Sequence, residues 1–508
     1  MDDQFMTKAY GLIRTTAAVP PSSHAATLPK PSQLSHARSK LPNSSHADYL
    51  SGVGPNTTLE HLLSDIVPAL NGENRSGRYW GFVTGSTLPI AEVADNIVSA
   101  YDQNVQVHLP TQTIATEVED AALKMMVRLL ELGEPEEWAG RTFTTGATAC
   151  NVLGLACGRE TVVAQRLEGE GCGAVGELGL LRACMKAGVE EIQILTSMSH
   201  SSLSKAASVV GLGRDSVKLL PFSDAEPWRL NIDAVEKKLQ RENVASIIAI
   251  SAGEVNTGRF ATNGLEDMKR LRGLADRYKA WIHVDGAFGM FARTLPKNDE
   301  YAALHRANAG LELADSITLD GHKILNVPYD TGIFLTRNPT VLHAVFQNPN
   351  AAYLSPGTPS TIQSPLNIGL ENSRRFRALP VYAVLLSEGA AGISAMMQNM
   401  VLTARAIAKT IQESSDYMLL PNPAVDATSI DDDTHIVVLF RAKDDALNDV
   451  LVQKINEGNK WYVSGSKWDG NPAVRVAVSS WRADREDAVE TVRESLAAIA
   501  LEHRRPHS

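Results

Sequence analysis

One lysine, Lys323, stands in a setting that would make its amine reactive. The preceding stretch, Ser316 to Asp320, alternates apolar and polar side chains, which is the period of a half-buried strand. Residues 324–328 are again largely apolar. Loss of hydration lowers the pKa of a lysine, and a neutral amine can attack a carbonyl to form a Schiff base. A single lysine of this kind more often extends to solvent, so the hypothesis needs a second residue.

That second residue is Asp285, at the end of the strand-like run Trp281 to Asp285. Pyridoxal phosphate needs a carboxylate at its pyridine nitrogen, because a protonated ring accepts the electrons released when a bond to the substrate α-carbon breaks. Ala287, two positions on, would lie flat against the ring. A strand-end aspartate alone is more often a turn residue. With Lys323 following it, Asp285 favours pyridoxal phosphate as the cofactor.

The two motifs, His-Val-Asp-Gly-Ala at 283–287 and Asp-Gly-His-Lys at 320–323, resemble those of the pyridoxal-phosphate-dependent group II decarboxylases. This family includes the aromatic amino acid, glutamate and tyrosine decarboxylases. The resemblance runs from about Tyr79 to the end of the chain. It implies the aspartate-aminotransferase-like fold (type I), an α/β fold with a mostly parallel sheet in the large domain and a smaller α+β C-terminal domain. It also implies a homodimer with shared active sites.

A turn of small residues at 145–149 comes between a short strand and an apolar helical run. Such a turn exposes N–H groups at a helix N-terminus, which favour a phosphate, although an ordinary turn would look the same. The resemblance assigns the cofactor phosphate to Gly146, Ala147 and Thr148. An aromatic, glycine-containing segment at 78–85 is a candidate wall of the substrate pocket, with simple packing as the alternative.

The resemblance also implies roles for residues nearer the cofactor ring and the lysine. His200 would stack on the ring face opposite Ala287 and serve in catalysis. Asp320 would help to hold the phosphate end, and His322 would orient the lysine. Glu254 stands where several members of the family carry threonine, and it is a candidate cofactor contact.

A long polar loop at 348–372 is predicted to close over the active site, which belongs to the neighbouring subunit in this interpretation. Many members of the resembled family carry a tyrosine here that protonates the α-carbon after CO2 leaves. Tyr353 lies at the start of the loop, and residues 354–381 contain no tyrosine. Tyr353, His200 or a water molecule is therefore expected to supply the proton.

The chain of 508 residues is long enough for two or three domains. We predict a disordered or draped arm at 1–55, a helical segment at 56–130, a large cofactor-binding domain at 131–385 and a small domain at 386–508. Thr116 and Glu119 match a capping box that would begin a helix ending near Gly133. Three arginines near 375 are interpreted as structural.

The amino-acid composition limits the binding partners and the cellular compartment that we expect for this protein. A formal net charge of −10 and the absence of a lysine- and arginine-rich block disfavour a nucleic-acid surface. The four cysteines form no Cys-x-x-Cys pair, so we expect free thiols, no metal site and a cytoplasmic location. No apolar run approaches the length of a membrane span.

The function favoured by these observations is α-decarboxylation of an L-amino acid to the amine and CO2. Lys323 would carry the cofactor as a Schiff base. Two alternatives keep the cofactor: oxidative decarboxylation with deamination, as in aldehyde synthases, and carbon–carbon bond cleavage. A third is a protein that binds pyridoxal phosphate but catalyses nothing, which the lysine, aspartate and histidine set disfavours.

Overall fold

The computed structural model describes residues 2–18, 25–47, 49–167, 173–349, 361–421 and 430–505. Their helices are α1 (Asp2–Ala17), α2 (Pro31–Lys40), α3 (Pro55–His61), α4 (Pro89–Tyr101), α5 (Ala115–Leu129), α6 (Ala147–Ala164), α7 (Ala174–Leu178), α8 (Leu180–Ala187), α9 (Ser201–Val209), α10 (Ile232–Leu239), α11 (Leu265–Tyr278), α12 (Ala302–Asn308), α13 (Gly321–Ile324), α14 (Pro339–Phe346), α15 (Ala378–Gln412), α16 (Ile430–Asp433), α17 (Asp445–Glu457) and α18 (Arg485–His503). Their strands are β1 (Gly140–Thr144), β2 (Glu191–Thr196), β3 (Val217–Leu219), β4 (Val244–Ser251), β5 (Trp281–Asp285), β6 (Ser316–Asp320), β7 (Gly332–Thr336), β8 (Tyr417–Leu420), β9 (Val437–Ala442), β10 (Ser464–Trp468) and β11 (Asn471–Ala477).

The large domain is built on a seven-stranded sheet in the order β1-β7-β6-β5-β4-β2-β3. Strands β3, β2, β4, β5 and β6 run parallel, whereas β7 is antiparallel to both of its neighbours. Every residue of β4 is buried, as expected for a central strand covered by helices on both faces. The predicted α/β fold with a mostly parallel sheet is confirmed.

The small domain contains a four-stranded antiparallel sheet in the order β10-β11-β9-β8. The predicted strands near 435–441 and 474–478 correspond to β9 and β11, and the predicted helix at 446–457 corresponds to α17. Strands β8 and β10 were not predicted. Val474 and Val476 of β11 are buried, which gives this sheet its apolar face.

The region predicted to be a disordered or draped arm contains α1 and α2. Between them, Thr27 Oγ1 and Leu28 N donate hydrogen bonds to Asn459 Oδ1 at 2.8 and 2.9 Å. This part of the arm is therefore held against the small domain. The domain boundaries drawn from the sequence remain a prediction.

The predicted capping box at Thr116 is wrong. Helix α5 has Ile114 at its N-cap, and no side chain caps it there. Thr116 lies inside the first turn, 2% exposed, and its hydroxyl is 2.8 Å from His108 Nδ1. The Thr116 hydroxyl therefore bonds to His108, a buried tertiary partner, and does not cap the helix as the local pattern predicted.

Helix α15 is the one helix of the described ranges that is long and apolar enough to cross a bilayer. In this fold it packs against α4, α5 and α18, with residues such as Ile393, Met397 and Met400 fully buried. Length and apolar composition are also what the core helix of a globular domain requires.

The three arginines before α15 tie it to the N-terminal helical segment and to the large domain. Arg374 pairs with Glu119 at a buried site and donates to the carbonyl oxygen of Val105 at 3.0 Å. Arg375 pairs with Asp95 at 2.6 Å, and Arg377 pairs with Asp330 and Glu371. These contacts support the structural interpretation made from the sequence.

Candidate active site

A cavity of about 700 Å³ opens beyond the carboxyl ends of β4, β5 and β6. This is the edge at which ligands bind in open parallel sheets. Nine of the eleven residues assigned to the site from the sequence line it: Gly146, Ala147, Thr148, His200, Asp285, Ala287, Asp320, His322 and Lys323. The remaining two are Glu254 and Tyr353.

Lys323 lies in the short helix α13, directly after β6, and its side chain is 20% exposed. Its Nζ is 2.8 Å from Asp320 Oδ2 and 5.8 Å from the centre of the Phe288 ring. Because the helical turn places positions i and i+3 on one side, Asp320 and Lys323 meet. The amine is thus held at the cavity wall between a carboxylate and an aromatic face.

The role of Asp320 in holding the phosphate end stays a prediction, and the structure places its carboxylate at the N-terminus of α6. Its Oδ1 accepts the backbone N–H of Ala147 at 2.6 Å, so this carboxylate occupies one of the first donors of α6. Asp320 also joins this helix N-terminus to Lys323. The N–H groups of Thr148 and Ala149 have no acceptor within the helix and remain for an anion.

Gly146 precedes α6 at φ 150°, a conformation that favours glycine. A Cβ atom there would lie 3.2 Å from His322 Cε1 and 3.5 Å from Asp320 Oδ1, so it would fill the space at the helix N-terminus. Gly146 therefore leaves open the position where the sequence predicted the phosphate.

Asp285 ends β5, and both of its carboxylate oxygens accept hydrogen bonds. Asn151 Nδ2 donates to Oδ2 at 2.9 Å, and the backbone N–H of Ala287 donates to Oδ1 at 3.3 Å. The sequence singled out Asp285 and Ala287 but gave no role to Asn151. Its position one turn into α6, beside the phosphate turn, was the available signal.

His200 is the N-cap residue of α9, and its Nδ1 accepts the N–H of Ser202 at 3.1 Å. A neutral imidazole with an accepting Nδ1 carries its hydrogen on Nε2. Burial lowers the pKa of His200, which favours this neutral form. Burial also lowers the pKa of His322, whose Nδ1 accepts the N–H of Thr331 at 3.1 Å.

The structure does not bring the Glu254 carboxylate into the cavity, although its neighbours Gly253 and Val255 line the wall. Its two oxygens accept from the backbone and side chains of Asn256 and Thr257 at 2.9 to 3.0 Å. Burial raises the pKa of Glu254. In this structure Glu254 holds its own turn, and its contact with the cofactor stays a prediction.

Tyr353 falls outside the described residues, so its expected role as a proton donor stays a prediction. The cavity wall does contain another tyrosine, Tyr329, whose ring centre is 4.6 Å from that of His322. The sequence reasoning did not single out Tyr329. It follows Lys323 in the same connection, so its proximity in sequence was the only signal.

The 78–85 segment does line the cavity, through Phe82, Val83 and Thr84. A Cβ atom at Gly85 would lie 2.1 Å from the carbonyl oxygen of Lys323, so glycine there permits the segment to approach the lysine. The pocket-wall interpretation of this segment is therefore supported. Phe82 is 58% exposed and lies at the mouth.

Arg475 reaches the cavity from β11 of the small domain. Its Nε donates to the carbonyl oxygen of Val255 and its Nη1 donates to that of Phe82 at 2.9 Å. Its buried Nη2 has no hydrogen-bond partner among the described residues. Burial lowers the pKa of Arg475 to about 10, so the side chain is still a cation at neutral pH. The sequence singles out Arg475 only by a fold-level analogy to the arginine that binds the substrate carboxylate in aminotransferases, which carries little weight.

A larger depression of about 1010 Å³ lies at the opposite edge of the sheet. Its charged residues are largely paired, for example Arg272 with Asp315 at 3.0 Å and Arg337 with Glu137 at 2.8 Å. It brings together no lysine, aspartate and histidine set, so the smaller cavity is the candidate active site.

The residues of the smaller cavity fit pyridoxal phosphate. Lys323 supplies an amine for the aldehyde, and Asp285 supplies a carboxylate for the ring nitrogen. The open space at Gly146 and the free N–H groups of α6 suit the phosphate. His200 and Ala287 line the same cavity and are available for the ring faces.

Comparison with known proteins gives the same picture. Residues 84–431, more than half of the chain, match the model described as the pyridoxal-dependent decarboxylase conserved domain. An L-2,4-diaminobutyrate decarboxylase from Acinetobacter baumannii is 26% identical over 353 residues, which are 66% of this chain and 63% of the relative. An aspartate 1-decarboxylase from Aliivibrio fischeri is 26% identical over 375 residues, which are 72% of this chain and 65% of the relative.

Among solved structures, Oryza sativa TDC with PLP and tryptamine matches with a TM-score of 0.79 and 19% identity. The match covers 99% of this chain and 98% of that one. At this identity the likeness shows the fold alone. The curated relatives are matched over somewhat less than two thirds of their own length.

Proposed function

The chain belongs to the pyridoxal-dependent decarboxylase family, whose cofactor is pyridoxal phosphate, and we propose that it converts an L-amino acid to the corresponding amine and CO2. The observation that carries this proposal is the shared cavity of Lys323, Asp285 and His200. When bound, the cofactor supplies a ring that takes up the electron pair left on the α-carbon as CO2 departs.

The residues of the cavity divide the remaining work. Lys323 would hold the cofactor aldehyde through Nζ and could carry a proton beside the substrate α-carbon. Asp285 holds a proton at the ring nitrogen. His200 lines the cavity beside them and is available to relay a proton to the α-carbon. Each of these would act as a positioned group at the wall of one cavity.

The position of Arg475 suggests that the substrate carries an anionic group. Its free Nη2 is a buried donor on a cation, and an unpaired buried donor is costly unless a ligand completes it. We infer that Arg475 receives a carboxylate of the amino acid. Phe82 and Phe288 supply apolar wall beside it.

A homodimer with shared active sites, in the cytoplasm, is part of the proposal. Helix α4 exposes Val93, Ile97 and Tyr101 on one side, at 54%, 45% and 74%. Such an apolar face on a surface helix favours a protein partner. Light scattering should give a particle of twice the chain mass of 54.9 kDa, and a monomeric mass would contradict this part. Cys150 and Cys184 are free cysteines, which agrees with the reducing compartment proposed here.

Product analysis tests the reaction itself. The purified protein with pyridoxal phosphate is given each proteinogenic amino acid, in air and under nitrogen, and CO2, amine, aldehyde, ammonia and peroxide are measured. We expect one amino acid or a small group to give equal amounts of amine and CO2 in both atmospheres. A positioned proton donor contributes about 10²–10⁴-fold, enough to favour protonation over reaction with oxygen.

The alternative reactions would give different products. Aldehyde, ammonia and peroxide formed only in air would replace the proposal with oxidative decarboxylation. Carbon–carbon cleavage without CO2 would indicate a lyase of another kind. The Lys323→Arg variant serves as the control, because any product that it forms at the same rate does not come from this site.

A further inference from the structure

A line of fully buried polar side chains lies behind Asp285, on the side of β5 that faces α6. Trp281, His283 and Asp285 share one face of β5, because side chains in a strand alternate. Ser316 of β6 pairs with His283 in register. Polar groups at such depth are retained only when they are hydrogen bonded.

Helix α6 approaches this line closely. A Cβ atom at Gly154 would lie 2.3 Å from the His283 ring, and one at Gly158 would lie 2.9 Å from the Trp281 ring. Glycine at both places therefore lets the helix press onto β5. The same helix carries Asn151, which is fully buried and faces the line.

Four hydrogen bonds join these side chains into one chain. Trp281 Nε1 is 3.0 Å from Ser316 Oγ, which is 2.8 Å from His283 Nδ1. His283 Nε2 is 2.9 Å from Asn151 Oδ1, and Asn151 Nδ2 is 2.9 Å from Asp285 Oδ2. Every bond from the indole to the carboxylate is of ordinary length.

Only one direction satisfies every group in this chain. An indole N–H can only donate, and a carboxylate can only accept. Asp285 therefore accepts from Asn151 Nδ2, which turns Asn151 Oδ1 toward His283 and requires the hydrogen of the neutral ring on Nε2. Nδ1 of His283 then accepts from the Ser316 hydroxyl, which in turn accepts from Trp281 Nε1. Burial lowers the pKa of His283 to about 4, in agreement with a neutral ring.

Asn151 has a second branch toward the cavity. Its Nδ2 is also 3.1 Å from Ser202 Oγ, which is 2.7 Å from His200 Nδ1. Since Nδ1 of His200 is an acceptor, the Ser202 hydroxyl donates to it. One buried amide therefore contacts Asp285 directly and reaches His200 through a single hydroxyl.

We propose that Asn151 is a positioning residue that holds the Asp285 carboxylate and the His200 ring against the cofactor. Its partner His283 fixes the orientation of the Asn151 amide. This inference rests on the proposed cofactor site at Lys323. The contact from Asn151 is the shorter of the two hydrogen bonds recorded to Asp285, so losing it frees the carboxylate that must face the ring nitrogen.

The test uses the full-length protein loaded with pyridoxal phosphate labelled with ¹⁵N in the ring. The ¹⁵N chemical shift reports the protonation of the ring nitrogen independently of turnover. An opposite charge at contact distance shifts a pKa by about one to three units, and the ring nitrogen loses this support if the Asp285 carboxylate turns away. In Asn151→Leu, the ring nitrogen is expected to lose its proton at least about one pH unit lower than in the unaltered protein. Its kcat should fall about 10- to 100-fold, with KM changed less than about threefold.

His283 provides a second pair of variants, which carries the test if Asn151→Leu does not fold. His283→Phe removes the donor to Asn151 Oδ1 and should lower the pKa of the ring nitrogen, as Asn151→Leu does. His283→Gln retains an amide N–H donor, so the pKa of the ring nitrogen should stay close to that of the unaltered protein. Gln193→Leu is the matched control, because Gln193 is a buried amide that donates to Ser246 Oγ at 2.9 Å away from the cavity.

Each result decides one point. An unchanged ¹⁵N titration in holo Asn151→Leu, or in holo His283→Phe, would overturn the positioning role. An equal shift in Gln193→Leu would also overturn it, because general loosening of the sheet would then be the cause. Failure of the unaltered protein to take up the cofactor would overturn the proposed function and this inference together, whereas normal uptake without decarboxylation would leave the titration test intact.

Discussion

Replacement of Lys323 by alanine is expected to reduce turnover by at least about 10³-fold, which corresponds to about 4 kcal/mol of activation free energy. The variant loses the amine that binds the cofactor aldehyde and that can carry a proton beside the α-carbon. Its cofactor should dissociate on gel filtration, because only noncovalent contacts remain. Turnover and the cofactor content after gel filtration are the two measurements.

Lys323→Arg sharpens this prediction. An arginine keeps a positive charge beside Asp320, yet its guanidinium does not lose a proton and does not form a Schiff base. It should therefore be as inactive as the alanine variant. Lys269→Ala is the control, because Lys269 forms an exposed pair with Glu266 at 2.8 Å, and such pairs contribute little. Near-normal turnover in Lys323→Arg would remove the lysine from its assigned role.

Asp285→Asn is expected to keep much of the cofactor while losing about 10²–10⁴-fold in turnover. Removing one partner of a buried charge pair costs about 3–5 kcal/mol, and one pKa unit corresponds to about 1.4 kcal/mol. The ring nitrogen should therefore lose its proton at neutral pH, and the ring should become a weaker electron acceptor. Cofactor absorbance gives the retained fraction, and kcat gives the loss.

A matched substitution separates this effect from general damage. Asp315 is a largely buried carboxylate at the opposite edge of the same sheet, where it pairs with Arg272 at 3.0 Å and accepts the N–H of Ile282. Asp315→Asn should lower stability without changing kcat. Equal losses of turnover in the two variants would remove the specific role of Asp285.

The parts of the site predicted from sequence are those in which local pattern and chemistry coincide. The alternating run before Lys323 and the strand ending in Asp285 became neighbouring parallel strands, and their ends met at one edge. Parallel pairing makes that outcome general, since the carboxyl ends of such strands always share an edge.

The failures involve partners that are distant in sequence. Arg475 reaches the cavity from the small domain, and no local pattern indicates that contact. Asp320 does lie at the α6 N-terminus that was expected to hold the phosphate, but no local pattern indicated its hydrogen bond to Ala147, which is 173 residues away in the sequence. Strand β7 pairs antiparallel with β6, a direction that its apolar composition alone does not reveal.

The most direct test of the account is the identity of the lysine that carries the cofactor. The full-length protein loaded with pyridoxal phosphate is reduced with borohydride, digested and mapped by mass spectrometry. The account predicts a phosphopyridoxyl group on the peptide that contains Lys323, with loss of activity in proportion to the label. A stoichiometric label on any other lysine would contradict it.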